Sequence, residues 1–213
     1  MRPRRAGVAL AAPILLLAAA CGSQQVGVFH PAGVLAAASP AASAGARSTV
    51  PVPFPGKVRF DFDALPTDPS QAALVSRDRD FVLSYYDAIY TRGHDTSYLS
   101  YIADSGVTTS VQTAVTEHVD AAEGFAGVDK HFDTTVTKPS DLPGDLDVSY
   151  CVDEAGLQYT DIGTGQLRGN GSTPGQLYYY ENDTFAKTRH GAWDLVGMLV
   201  TPYPTGSARE CKP

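Results

Sequence analysis

The sequence predicts an α+β domain in which a helical first half precedes a stranded second half. Apolar residues recur at helical spacing over residues 69–92, and the apolar period changes to two after Gly124. The chain has 213 residues, of which 43% are hydrophobic and 18% charged. These values suit one globular domain with appendages better than two full domains.

The first twenty residues have the pattern of an export signal. Arg2, Arg4 and Arg5 form a basic segment, residues 6–20 are apolar, and residues 18–20 are the small residues that a signal peptidase requires. The apolar run is shorter than the roughly 20 residues that span a membrane. We therefore expect residues 1–20 to be removed on export. The sequence is compatible with the general and with the twin-arginine export route.

Cys21 follows this segment directly, and residues 17–22 resemble a bacterial lipobox. The resemblance implies that Cys21 receives a diacylglycerol and becomes the new N-terminus, with Ala18 standing where an aliphatic residue is usual. Lipidation would anchor the protein at the outer face of the cytoplasmic membrane. The alternative is ordinary cleavage, which leaves a free N-terminal cysteine and a secreted protein.

Residues 21–55 have the composition of a tether. Beyond Cys21 this stretch is rich in Ala, Ser, Gly and Pro, contains no acidic residue, and carries Arg47 as its one charged side chain. It lacks the large periodic apolar residues that a core needs. We expect a disordered tether over 21–55 and a single domain over 56–213.

The helical half contains three predicted helices. Asp68 and Pro69 are typical of an N-cap and a first helical residue, so the first helix is predicted over 69–92, ending at Gly93. Asp95 can cap a short second helix that carries Tyr98. A third helix is compatible with 109–123, although threonine and valine weaken it.

The stranded half is predicted to form an antiparallel sheet, since consecutive strands are joined by short turns. One of them, 145–153, places Tyr150 on an apolar face and Cys151 on the opposite face. The predicted strands cover 130–138, 145–153, 157–162, 176–189 and 192–201.

The three cysteines predict one disulfide. If Cys21 is lipidated, Cys151 and Cys211 remain as an even pair in an exported protein. Their bond would close a span of about sixty residues and contribute roughly 4 kcal/mol in the loop-entropy model. The five histidines show no metal-ligand spacing, so neither a metal nor a cofactor is predicted.

Three short motifs resemble the nuclear transport factor two-like superfamily, also called SnoaL-like or ketosteroid-isomerase-type. They are the helix-turn-helix stretch over 86–95, the G-x-W pattern over 191–196, and 148–153 combined with a second cysteine near the C-terminus. The last combination is similar to tethered actinobacterial lipoproteins of this superfamily. The resemblance implies helices packed on a strongly curved antiparallel sheet that forms a conical cavity.

Five aromatic residues are candidates for lining that cavity. Tyr86 and Tyr90 lie on the first predicted helix, Tyr98 on the second, Tyr150 in the sheet and Trp193 on the last hairpin. The alternative for each of them is plain core packing, which is the commoner use of periodic aromatic residues.

The function expected from these observations is a non-catalytic envelope module that binds a small apolar ligand or another envelope protein. The alternative is a small-molecule isomerase, cyclase or hydrolase in which Tyr86 donates a hydrogen bond, as the family resemblance implies. Asp104 is the one acid near the family's base position, and it reads better as a helix-terminal residue. No catalytic residue is therefore assigned.

The charged residues exclude one class of partner. The formal charge is −7, and loss of the basic leader makes the remainder more acidic. A negative field repels phosphate backbones, so nucleic-acid binding is not expected. The charged stretch over 77–80 is predicted to form a solvated, salt-bridged helix face.

Overall fold

The computed structural model describes residues 49–53, 57–168 and 177–211. They form a mixed α+β domain with two α-helices, α1 (Pro69–Tyr90) and α2 (Ser105–Asp120). Short 3-10 helices cover Ser97–Tyr101 and Gly206–Glu210. The strands are β1 (Thr49–Pro53), β2 (Lys57–Asp63), β3 (Glu123–Thr137), β4 (Leu146–Asp153), β5 (Leu157–Asp161), β6 (Tyr178–Lys187) and β7 (Trp193–Pro202).

The sheet is open and mixed, with the strand order β1-β2-β3-β4-β6-β7, and β5 pairs with the first part of β3. The antiparallel prediction is wrong for one pair, because β2 and β3 run parallel. The helices between these two strands carry the chain back across the sheet, as a parallel connection requires. The other neighbouring pairs are antiparallel.

β1 corrects the predicted limit of the tether. Thr49–Pro53 lies within the segment assigned to the disordered tether over 21–55, yet it pairs antiparallel with β2. Its two prolines cannot donate hydrogen bonds, and an edge strand tolerates such residues. The sheet therefore begins before residue 56. β1 lies at its edge, where it pairs with β2.

α1 starts as predicted and ends two residues earlier. The Asp68 side chain accepts hydrogen bonds from the backbone N–H groups of Ser70 and Gln71, each at 2.9 Å. Arg92 and Gly93 both have positive φ, at 56° and 77°, which stops the helical hydrogen bonding.

α2 starts earlier than the predicted 109–123. The Asp104 carboxylate caps it by accepting from the backbone N–H of Gly106 at 2.7 Å and of Val107 at 2.9 Å. Val107, Val111 and Val115 recur every fourth residue and bury one face. Packing of that face offsets the low helix propensity of valine and threonine.

α1 packs on the sheet through an apolar face, and Arg77 ties it to neighbouring elements. The Arg77 guanidinium donates to the carbonyl oxygens of Trp193 and Ser100 and pairs with Asp194 at 3.0 Å. The predicted solvated face over 77–80 is wrong for Asp78, which is only 3% exposed. Asp78 falls four residues after Leu74 and thus on the buried side of the helix.

The disulfide between Cys151 and Cys211 is present, as predicted. It joins β4 to the C-terminal segment, where both cysteines pack with Phe132 and Tyr180. The predicted half-buried strand is therefore buried on both faces over its last six residues. On the second face, Cys151 packs against Cys211 of the C-terminal segment.

Candidate functional site

A cavity of about 450 Å³ lies between the two helices and one face of the sheet. Its volume is within the range usual for small-molecule sites, roughly 300–1,000 Å³. The lining combines apolar and aromatic side chains with a smaller set of ionisable ones. The lining residues are Phe81, Val82, Tyr85, Tyr86, Ser110, Val111, Ala114, His118, Phe125, Asp129, His131, Glu154, Tyr159, Tyr179, Glu181, Met198, Val200 and Pro202.

Element periodicity explains how these side chains converge. On α1, the pairs 81/85 and 82/86 are each four residues, or about one turn, apart. On α2, residues 110, 111, 114 and 118 likewise recur at spacings of three or four and so share one face. On β3, β6 and β7 the lining residues differ by even numbers and so share one face. The cavity is thus formed by two helical faces opposite one face of β3, β6 and β7, with Tyr159 of β5 and Glu154 completing the wall.

The most deeply buried cluster of ionisable side chains in the cavity wall is centred on Asp129. The Tyr86 hydroxyl donates to Asp129 Oδ2 at 3.0 Å, and His131 Nε2 lies 3.3 Å from Asp129 Oδ1. Asp129 is 1% exposed and His131 is 4% exposed. In the described part of the chain, neither Asp129 Oδ1 nor the two His131 ring nitrogens have hydrogen-bond geometry to a partner.

Two further carboxyl groups, Glu154 and Glu181, line the same cavity. Tyr179 donates its hydroxyl to Glu154 Oε1 at 3.0 Å. Burial, reinforced by the charge of Asp129, raises the pKa of Glu154 to about 8. Burial and the neighbouring Asp183 raise the pKa of Glu181 well above its ordinary value. Burial therefore favours the protonated form of both groups.

Behind this wall lies a carboxyl pair formed by Asp78 of α1 and Asp183 of β6. The Tyr150 hydroxyl donates to Asp183 Oδ2 at 3.4 Å. Burial raises the pKa of Asp78 to about 7, and burial with the nearby Asp78 raises that of Asp183 well above its ordinary value. Two buried carboxyls this close share protons, since neither can ionise without cost.

Of the five aromatic residues predicted to line the cavity, the structure places Tyr86 there. Trp193 lines a separate recess beside the loop after β3. Tyr98 and Tyr150 are buried in the core, and Tyr150 stands behind the cavity wall, with its ring centre 5.2 Å from that of His131. Tyr90 instead bonds the backbone of Phe125, donating to its oxygen and accepting from its nitrogen.

The remaining predicted site residues have definite positions or fall outside the described residues. Asp104 is the N-cap of α2, in agreement with its predicted role as a helix-terminal residue. Cys21, the predicted lipidation site, lies outside the described residues. Within the described ranges, no cluster of three or more His, Cys, Asp or Glu side chains is arranged to hold a metal ion.

The sequence prediction missed Asp129, His131, Glu154 and Glu181. Asp129 and His131 are two residues apart on β3, so their shared face could have been recognised from the period of two. Which face lines a cavity depends on the pairing of β3 with distant strands. Nothing local to the sequence reveals that pairing.

Among the described residues, no helix is long and apolar enough to cross a membrane. No family model and no curated protein matches this chain. One solved structure with some likeness is the intermembrane space region of the chloroplast protein ARC6. It is 10% identical with a TM-score of 0.36, and the match covers 61% of this chain and 96% of that one.

Proposed function

We propose that this protein is an exported, lipid-anchored module that binds a small molecule with an apolar body and a polar end. The observation that carries the proposal is the cavity of about 450 Å³. Phe81, Val111 and Met198 offer it an apolar wall, and Asp129 and Glu181 offer polar contacts. A mostly apolar pocket with a few convergent polar groups is the usual form of a ligand site.

In this proposal the sheet curves strongly around α1 and α2, and the cavity is conical, as in the nuclear transport factor two-like superfamily. Support comes from the mixed α+β order and from the way both helices and four strands line one space. The fold resemblance concerns architecture, whereas the binding function is argued from the side chains of the cavity.

The domain works outside the cytoplasm, held at the outer face of the cytoplasmic membrane by a diacylglycerol on Cys21. The Cys151–Cys211 disulfide supports an exported location, because such bonds persist mainly in oxidising compartments. Secretion without the lipid is the alternative that follows if ordinary signal cleavage occurs before Cys21.

The test is native mass spectrometry of the full-length protein extracted from its own membrane. We expect a diacylglycerol adduct on Cys21 and a retained small molecule. Ala114→Trp places a large side chain in the cavity wall and should lower the retained fraction at least about tenfold, because it fills the binding volume. Ala73→Trp, at an exposed position of α1, is the matched control. Equal retention by both variants would contradict the proposal.

A second candidate function, acid–base catalysis on the bound molecule, is favoured by the group around Asp129. Tyr86 holds one carboxylate oxygen of Asp129, and His131 lies beside the other. A carboxylate and an imidazole so placed can exchange protons with a ligand. In deuterated water the protein should then introduce deuterium at carbon in the retained molecule, and Asp129→Asn should abolish this exchange. Absence of exchange with the unaltered protein would contradict catalysis and leave ligand binding as the proposed function.

A further inference from the structure

We infer, on the basis of the proposed binding function, that the ligand's polar end is a positively charged amine. It would be received by three carboxyl groups of the cavity wall, those of Asp129, Glu154 and Glu181. The apolar body of the ligand would lie against α1, α2 and β7. The lining residues thus define the charge, size and polarity of the ligand.

The charge balance of the cavity is the first step. Three carboxyl groups line it, and no Lys or Arg is found among the described lining residues. Of the two histidines, His118 is paired with Glu123 at 2.9 Å. This leaves His131 as the one other basic side chain beside three carboxyl groups in the described lining. Ionising buried carboxyl groups is costly without a matching cation, and a ligand ammonium group would lower that cost.

The polar atoms at the wall fit an ammonium group. Asp129 Oδ1 has no hydrogen-bond partner within the described ranges, although Asp129 is 1% exposed. An ammonium group donates three hydrogen bonds and accepts none, so it can satisfy several carboxyl oxygens together. A carboxylate ligand would instead add a fourth acidic group to a wall that already holds three.

Aromatic rings around the acids add a second attraction for a cation. The ring centre of Phe125 lies 5.1 Å from that of Tyr86 and 5.3 Å from that of Tyr159. Tyr179 also lines the cavity and bonds Glu154. Ring faces attract cations, and aromatic residues with carboxylates commonly form amine sites.

The raised pKa values of Glu154 and Glu181 agree with this reading. Burial and neighbouring acids favour the protonated forms of both carboxyls when no cation is near. An ammonium group at the wall favours their ionised forms, so ligand and acids stabilise each other's charges.

The test compares three probes that share an indole ring: tryptamine, the neutral alcohol tryptophol and the anion indoleacetate. Affinities are measured by calorimetry with the full-length chain in nanodiscs of zwitterionic lipid, with empty nanodiscs as the blank. We expect tryptamine to bind at least about tenfold more tightly than tryptophol, and indoleacetate to bind weakest.

Variants locate the preference. Glu181→Gln and Glu154→Gln should each reduce the tryptamine preference while tryptophol still binds, which shows that the fold is intact. Asp141→Asn, at an exposed position outside the cavity, should retain the preference. Two glutamate variants are used so that the test stands if Glu181→Gln does not fold. Glu154 is half-buried, and its replacement should disturb the fold less.

The outcomes separate the two proposals. If tryptophol or indoleacetate binds as tightly as tryptamine, or if the preference survives both glutamine variants, the amine inference is overturned and the cavity remains a ligand site. If none of the three probes binds and no molecule is retained by the native protein, both the inference and the proposed function fail.

Discussion

Asp78 shows at the scale of a single residue how burial sets a pH dependence. Its pKa rises from 3.8 to about 7, first because it is buried and then because of Glu181. The folded chain therefore binds this proton more tightly than the unfolded chain does. The stabilising contribution is complete below pH 3.8 and is lost as the pH rises towards 7.

Asp78→Asn should flatten this dependence, because an amide has no proton to lose. Between pH 3.8 and 7, the free energy of unfolding should fall less steeply than in the unaltered protein, by up to about 1.4 kcal/mol per pH unit. Urea denaturation at several pH values measures the slope. Asp80→Asn, exposed on the same helix, should leave it unchanged. A slope in Asp78→Asn equal to that of the unaltered protein would refute the assignment.

Residue 78 also shows what the sequence analysis could and could not predict at this scale. The arginines on either side of it favour a solvated helix face, and the prediction for 77–80 rests on that charge pattern and not on where residue 78 falls around the helix. Helical spacing from Leu74 to Phe81 nevertheless places Asp78 on the apolar side. The burial was predictable from spacing, whereas the pairing with Asp183 depends on a strand about a hundred residues away.

At the scale of an element, Gly127 lets β3 approach the turn between β4 and β5. Its φ is +107°, and a Cβ at this position would lie 2.0 Å from the carbonyl oxygen of Gly156. That same oxygen accepts from the backbone N–H of Val128 at 3.0 Å. A side chain here would therefore both strain the backbone and push these segments apart.

Gly127→Ala should lower the free energy of unfolding by about 3 kcal/mol, measured by urea denaturation. The matched control is Gly144→Ala, where φ is +100° and no atom lies within 4 Å of the added Cβ. That variant reports backbone strain alone and should cost about 1 kcal/mol. Equal losses from the two variants would show that the contact with Gly156 is unimportant.

Elements with strong local signals were predicted well. The capping pair at 68–69 located α1, and the alternation around Val148 located β4. β1 was missed because its proline-rich composition resembles a linker. β2 was not predicted either, and its parallel pairing with β3 joins strands that are distant in sequence. For the cavity, Tyr86 lies in the wall on a helix that local signals predict, whereas the positions of the acidic residues beside it depend on strand pairing.

At the scale of the whole molecule, the disulfide holds the C-terminus against the sheet. It links residues 60 positions apart, and Cys211 is fully buried. The bond restricts the unfolded chain, so its loss should mainly favour unfolding. Cys211 also packs with Phe132, Cys151 and Tyr180, which couples the docking of the C-terminal segment to the sheet.

The double variant Cys151→Ala with Cys211→Ala should lower the free energy of unfolding by about 4 kcal/mol. Alanine fits the buried space without adding a polar group, so most of the change reports the lost cross-link. Adding reductant to the unaltered protein during urea denaturation is the control and should give a similar loss. A change below about 1 kcal/mol in both experiments would contradict the stabilising role.

A crystal structure of the protein purified from its own cells tests the ligand cavity most directly. We expect non-protein electron density in the cavity, with a polar atom within hydrogen-bond distance of Glu181 or Glu154 and apolar atoms against Phe81 and Met198. The contradicting result is a cavity closed by its own side chains, with the helices packed directly onto Glu181 and no space for a small molecule.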